Sequence, residues 1–259
     1  MKRVFHRGFV KKVLSASPAA SYGIRTMLYG TLLPAPVIGT RKDAVVRMRE
    51  VAAAGHECGI HAWDHVDWHD RLPGMGRTEV FETFGRAAER FAEIFGGAAQ
   101  VAGAPGWTAS GLSVEAYEAR GICVASDTRG GTPFRPLRAD GTPSSLVEVP
   151  STLPTLDELL AFDEFRGEKS GGTIDYLRRA VGQAPGASVH SIHTEIEGGR
   201  AFAGLFARQL ETWAAEGVSF VTLTDVADSA GPLQARPLRF TAVEGRALPV
   251  ATGEPASRK

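Results

Sequence analysis

Apolar positions along this chain switch repeatedly between two periods. DAVVRMREVAAAG, 43–55, places Val45, Val46, Met48 and Val51 at helical spacing and stops at Gly55. HECGI, 56–60, then reads as a short apolar strand. The spacing predicts a long amphipathic helix over 78–95, a strand at QVAGA (100–104) and a helix at SVEAYEA (113–119). Strands follow at ICVAS (122–126) and SLVEV (145–149), then a helix at SGGTIDYLRRAVG (170–182). ASVHSIH (187–193) predicts another strand and 199–217 a helix closed by Gly217. VSFVTL (218–223) predicts a strand and TDVADS (224–229) a last helical turn. Such alternation with short apolar strands predicts an α/β fold, a parallel sheet or barrel with helices outside. In such folds functional side chains gather just after the strands. Here those positions hold His61, His65, Trp107, Asp127, Arg129 and His193.

Composition adds two constraints. The 259 residues suffice for one large domain, and 43% hydrophobic content with zero formal net charge suits a globular protein. Charge is unevenly placed, however: residues 1–42 carry eight Lys or Arg and no Asp or Glu. With FVKKVL and TMLYGTLLPAPVIG in the same stretch, 1–42 reads either as a segment lying on an anionic membrane face or as a basic helix packed on its own domain. The core domain is expected over 43–230. From Gly231 to 259 the chain reads as a peripheral tail with a turn-like VEGRA between two β-prone stretches. Cys58 and Cys123, both in apolar runs, are expected as buried thiols in a reducing compartment. Neither a spanning helix nor a secretory leader is legible, so a cytoplasmic location is expected, with no nucleic-acid partner.

The densest chemistry is HAWDHVDWHD, 61–70. His61 and His65 stand four apart, a spacing that on a helical turn aims both imidazoles at one divalent cation. Ala62 follows the first histidine where a zinc metalloprotease carries glutamate, which argues against that class. An open catalytic metal usually takes three protein ligands, and Asp64, Asp67 or His69 could supply the third. A His- and Trp-rich packed loop is the alternative. His193 in HSIHTEIEG has an acidity suited to proton donation. In SDTRGGTPFRP, 126–136, Asp127 can hold an imidazole, while Arg129 and Arg135 can take a phosphate or carboxylate or merely form surface pairs. APGWTASG presents Trp107, either a sugar-stacking platform or a core plug.

Taken together, GHECG followed by HAWDH, then SDTRG with PFRP, VPSTLPTLDELL and SIHTEIEG resemble, in order and spacing, the NodB-homology polysaccharide deacetylases. The likeness is to the subgroup that removes formyl from lipid-linked amino sugars. It covers nearly the whole chain, including the AASYG stretch of the basic arm. It implies a distorted, incomplete (β/α) barrel and one divalent cation, zinc, held by His61 and His65 with an Asp of a first strand. It implies that His193 protonates the departing amine, that Asp127 is oriented toward His193, and that Trp107, Arg129 and Arg135 face the substrate. The implied reaction is hydrolysis of an N-formyl or N-acyl amide on an undecaprenyl-phosphate-linked amino sugar, in lipid A modification, on the inner face of the cytoplasmic membrane. The family's first strand-helix-strand elements, with their paired aspartates, have no counterpart in the sequence. Two expectations follow, a start upstream of Met1 or a remnant that only binds membrane or sugar. Hydrolysis of another N-acyl sugar is a further alternative.

Overall fold

A computed structural model describes residues 38–165, 171–184, 186–246 and 248–253. The basic arm, 1–37, lies outside the described residues. In chain order the helices and strands are α1 (Lys42–Ala53), α2 (His65–Arg71), α3 (Arg77–Phe95), β1 (Val101–Ala102), α4 (Gly111–Glu118), β2 (Val124–Ala125), β3 (Arg135–Pro136) and β4 (Val147–Glu148). They continue as α5 (Leu156–Leu159), α6 (Gly172–Gln183), α7 (Thr194–Glu197), α8 (Ala203–Ala215), α9 (Leu223–Ser229), β5 (Ala235–Arg236), β6 (Arg239–Thr241) and β7 (Val250–Thr252). The chain divides into two compact units. Unit one comprises Leu153–Phe220 and Val243–Leu248; unit two comprises Ile38–Thr152, Val221–Ala242 and the stretch from Pro249.

Unit two is built on a parallel ladder, β1-β2-β4, extended by a bridge from Ile60 to Ala102. HECGI therefore contributes one bridge residue rather than a full strand. A side chain at Gly59 would press its Cβ to 2.8 Å from the Val101 carbonyl oxygen, so only glycine lets this segment approach β1. The α3 helix repeats apolar residues at 3.6 spacing and buries Val80, Phe84 and Ala87. Phe84 meets Tyr117 of α4 at 4.4 Å between ring centroids, and Trp68 stacks on the same tyrosine. Truncating Phe84 to alanine would cost about 3–5 kcal/mol, since its ring is nearly fully enclosed. By contrast α1, formed where its periodicity predicts, buries none of its side chains, and Val46 and Val51 stay exposed.

Several expectations need correction. Among the described residues the sheets are open and parallel ladders are short, so no closed barrel forms. The segment 187–193 makes no ladder; its backbone link is Leu153 N–H to the Val189 carbonyl at 3.0 Å, and Ile192 stays 40% exposed. Nor is 218–223 a strand, because Thr222 turns to cap α9 in a reciprocal box with Asp225. Cys58 is half-buried and Cys123 exposed, not core thiols, because each falls at the solvent side of a run only two residues of which pair. In the stretch read as a tail, β7 is fully buried, pairs antiparallel with β6, and its Ala251 carbonyl accepts the Arg129 N–H.

Unit one packs α6 against α8 over Leu159, Leu177 and Trp213, with a second cluster of Leu156, Ile174, Ile196 and Leu205. Among the described residues no helix is long and apolar enough to cross a membrane.

Candidate active site

At the C-terminal ends of the parallel segments, unit two assembles most of the chemistry legible in the sequence. His61 follows the Ile60 bridge, and its Nδ1 lies 2.7 Å from the Gly103 carbonyl oxygen. That carbonyl can only accept, so Nδ1 carries the proton and the lone pair sits on Nε2. Ala62 then adopts φ +60, a conformation rare for a side-chain-bearing residue. This left-handed step reverses the chain and brings the His65 ring to 5.1 Å from that of His61, tilted by 56°. The pair is not made by helical periodicity: His65 opens α2, and His61 lies before it.

The neighbouring acids have local duties. Asp64 caps α2, accepting from the N–H groups of Val66 and Asp67 at 3.1 and 3.0 Å. Asp67 pairs with Arg71 and Asp70 with His69. The third ligand expected from these residues is not assembled: among the described residues no group of three His, Cys, Asp or Glu side chains gathers in a form that could hold a metal ion.

After β1, Pro105–Trp107 makes a tight turn in which Gly106 (φ +58) passes against the His69 ring, where a Cβ would collide. Trp107 is 6% exposed; its Nε1 donates to Ser151 Oγ at 2.9 Å, and the Arg129 guanidinium lies 5.0 Å from its ring centroid. After β2, Asp127 is buried and accepts from the Ala104 N–H at 2.6 Å. Its own N–H donates to Glu148 Oε1 at 2.7 Å, which also accepts from Thr128 Oγ1 at 2.8 Å. Burial pushes Asp127 up to about 7 against the hydrogen bonds from Ala104 and Tyr117, and pushes Glu148 higher still, with the Asp127 charge adding to it. Arg135 is part-exposed and donates to the Ser145 carbonyl.

His193 belongs to unit one, where it is the extended residue before α7 rather than the end of a strand. Its Nδ1 lies 3.3 Å from Asp157 Oδ1, and its N–H donates to Glu197 Oε2 at 2.9 Å. The Asp157 carboxylate raises the imidazole above its ordinary value, burial opposing. Burial works against ionisation of Asp157 too, yet the hydrogen bonds from His193 and Thr155 and the cationic charges of His193 and Arg246 hold it at about 2. Sequence reasoning assigned Asp127 to this histidine; the carboxylate beside it is Asp157. Asp157, Arg246, Glu148 and Tyr117 were all missed. A charged residue inside the apolar run SLVEV was a readable signal for Glu148, whereas nothing local marks Arg246.

Comparison with known proteins follows the same lines. No family model matches the sequence. The chain is 29% identical over 196 residues to the "Probable 4-deoxy-4-formamido-L-arabinose-phosphoundecaprenol deformylase ArnD" of Shewanella sediminis (strain HAW-EB3), covering 76% of this chain and 61% of that protein. It is 25% identical over 225 residues to the protein of the same name from Wigglesworthia glossinidia brevipalpis, covering 86% of this chain and 76% of the relative. The chain thus spans about three-fifths of the Shewanella relative's length. Among solved structures, one from Mycobacterium smegmatis named for a polysaccharide deacetylase matches with a TM-score of 0.58 at 19% identity, over 93% of this chain and 88% of that one. Another so named, from Pseudomonas aeruginosa PAO1, matches at 0.57 and 22% identity over 74% and 65% of the two chains. PuuE allantoinase matches at 0.57 and 22% identity over 71% and 62%. In sequence and in fold, the chain is of the NodB polysaccharide-deacetylase type, close to the ArnD deformylases.

Proposed function

We propose that this chain is a carbohydrate amide hydrolase that releases formate from an N-formyl amino sugar carried on undecaprenyl phosphate, in the aminoarabinose modification of lipid A. The observation that carries the proposal is the His61–His65 pair at the end of the parallel ladder, with His61 Nδ1 tied to the Gly103 carbonyl. A backbone acceptor on one ring nitrogen is the support that metal-ligating histidines commonly have, because it fixes the tautomer and the ring plane. The donor set fits a divalent cation, and imidazole ligands favour zinc among common ions. Such an ion, when bound, supplies polarisation of the formyl oxygen and of water.

The remaining roles fall to this chain's own groups. His193, raised in pKa beside Asp157, carries a proton near neutral pH and gives it to the departing amine. Asp127, 2% exposed, anchors the turn after β1 by accepting the Ala104 N–H. Trp107, Arg129 and Arg135 form the substrate side, with Arg135 the part-exposed candidate for the carrier phosphate. The basic, apolar arm over 1–42 supports a position on the anionic inner face of the cytoplasmic membrane.

The test is formate release from undecaprenyl-phosphate-linked 4-deoxy-4-formamido-L-arabinose by the zinc-loaded chain, with the N-acetyl sugar run in parallel. Release is expected with the formyl substrate, abolished by chelation, and lower by about 100-fold or more in His61→Ala and His65→Ala, whose zinc content should also fall. No formate from the metal-loaded protein would overturn the proposal. Sedimentation with anionic vesicles tests the membrane position.

A further inference from the structure

In unit one, a turn and two short helices converge on the imidazole of His193. Thr155 and Glu158 cap α5 in a reciprocal box, which fixes the direction in which Asp157 leaves the helix. Asp157 Oδ1 and His193 Nδ1 are both shut off from solvent, and among the described residues neither has a hydrogen-bond partner of standard geometry. They face one another at 3.3 Å. Buried polar atoms are rarely left uncompensated, so each is the other's compensation. Arg246 approaches from the turn at 243–246, with Nη1 3.9 Å from Asp157 Oδ2 and Nε 3.6 Å from Glu158 Oε1. That turn reaches α5 because Gly245, at φ +80, passes where a Cβ would lie 2.9 Å from the Glu158 carbonyl oxygen. Glu197 completes the cradle by accepting the His193 N–H.

We propose that Asp157 is the positioning residue for His193: it takes the Nδ1 proton, turns Nε2 toward the reacting amide, and is itself oriented by Arg246. This rests on the deformylase reading for the step that Nε2 performs, and it transfers to Asp157 the part that the family likeness implies for Asp127. The proton balance is simple. Nε2–H of the imidazolium gives its proton to the departing nitrogen as the C–N bond breaks, and the imidazole left behind keeps Nδ1–H on Asp157. The charged groups facing this imidazole are Asp157 of α5 and Glu195 and Glu197 of α7, with Arg246 acting on Asp157 from the turn.

Titration of labelled histidine by NMR in the full chain reads the pair without any turnover. The His193 midpoint is expected above 6.5 in the wild type, lower by about one pH unit or more in Asp157→Asn, and largely restored in Asp157→Glu. A wild-type midpoint at or below 6.5, or one unmoved in Asp157→Asn, overturns the pairing. The wild-type and Asp157→Glu titrations keep the test decisive should Asp157→Asn fail to fold. In formate release, Asp157→Asn should lower kcat about tenfold or more at unchanged KM and move the alkaline limb down by the same pH interval as the midpoint. A shifted midpoint with an unmoved alkaline limb overturns the catalytic role. Absence of formate from every variant and the wild type, with the midpoint still shifted, would sink the deformylase reading and leave the pair standing.

Discussion

Asp127 with Glu148 in unit two and Asp157 in unit one are carboxylates withdrawn from water, and they respond in opposite directions. Burial raises Asp127 to about 7 and Glu148 well beyond its ordinary value, because the hydrogen bonds from Ala104, Thr128 and Tyr117 do not offset two acids placed side by side. Asp157 pays a burial penalty of the same sign and still ends at about 2, because His193 and Arg246 bring positive charge to it. Desolvation alone therefore does not decide the state of a buried acid; the sign of its nearest charge does. The first cluster stores a proton inside the ladder, a structural joint between β1, β2 and β4. The second keeps a full negative charge against an imidazole, the arrangement that proton donation calls for.

The sharpest way to break this contrast is Glu148→Ala. It deletes the acceptor of the Asp127 N–H and the Thr128 hydroxyl and opens a cavity at a fully enclosed position, so a loss of about 3 kcal/mol is expected in denaturant unfolding at pH 5. Loss below about 1 kcal/mol would mean that the joint is dispensable.

Glu148→Gln should act with the opposite sign. The amide oxygen still accepts both hydrogen bonds, while the ionisable group is gone. An acid whose folded pKa is raised contributes stability that is complete below its unfolded value and fades as pH climbs through the folded one. Wild-type stability should therefore decline between about pH 4 and 7 or above, and Glu148→Gln should gain about 1 kcal/mol on the wild type at pH 8 relative to pH 5. A constant difference across that range would remove the case for a stored proton.

Asp157→Asn gives the smallest change and the reverse pH window. A depressed acid contributes stability above its unfolded pKa, 3.8, that disappears as pH falls toward about 2. The variant should be weaker than the wild type by about 1 kcal/mol at pH 7, the partial exposure of the pair limiting the effect, and indistinguishable from it near pH 2. A deficit that persists at pH 2 would point to lost packing instead of lost charge.

Residues adjacent in sequence were the readable part of this protein. The 3.6 period of 78–95 locates α3 to within a residue, since an amphipathic helix closes its hydrogen bonds within itself and needs only one apolar face. The period-2 runs were half legible. QVAGA, ICVAS and SLVEV pair for two residues each, whereas 187–193 and 218–223 find no partner strand at all. A strand's hydrogen bonds lie on another segment, and no local pattern records whether that segment is in reach. The histidine pair was foreseen from the wrong geometry: a helical spacing suggested it, and a left-handed Ala62 makes it.

What the amino-acid sequence determined by itself is the inventory: imidazoles at 61, 65 and 193, acids at 127 and 157, and helices wherever the apolar period is 3.6. Which acid stands against which imidazole was decided by tertiary structure alone. Asp157 and Arg246 meet across 89 positions of chain. The physical reason is range: a helix is written in contacts four residues apart, but a charge responds to whatever folding brings within a few ångströms.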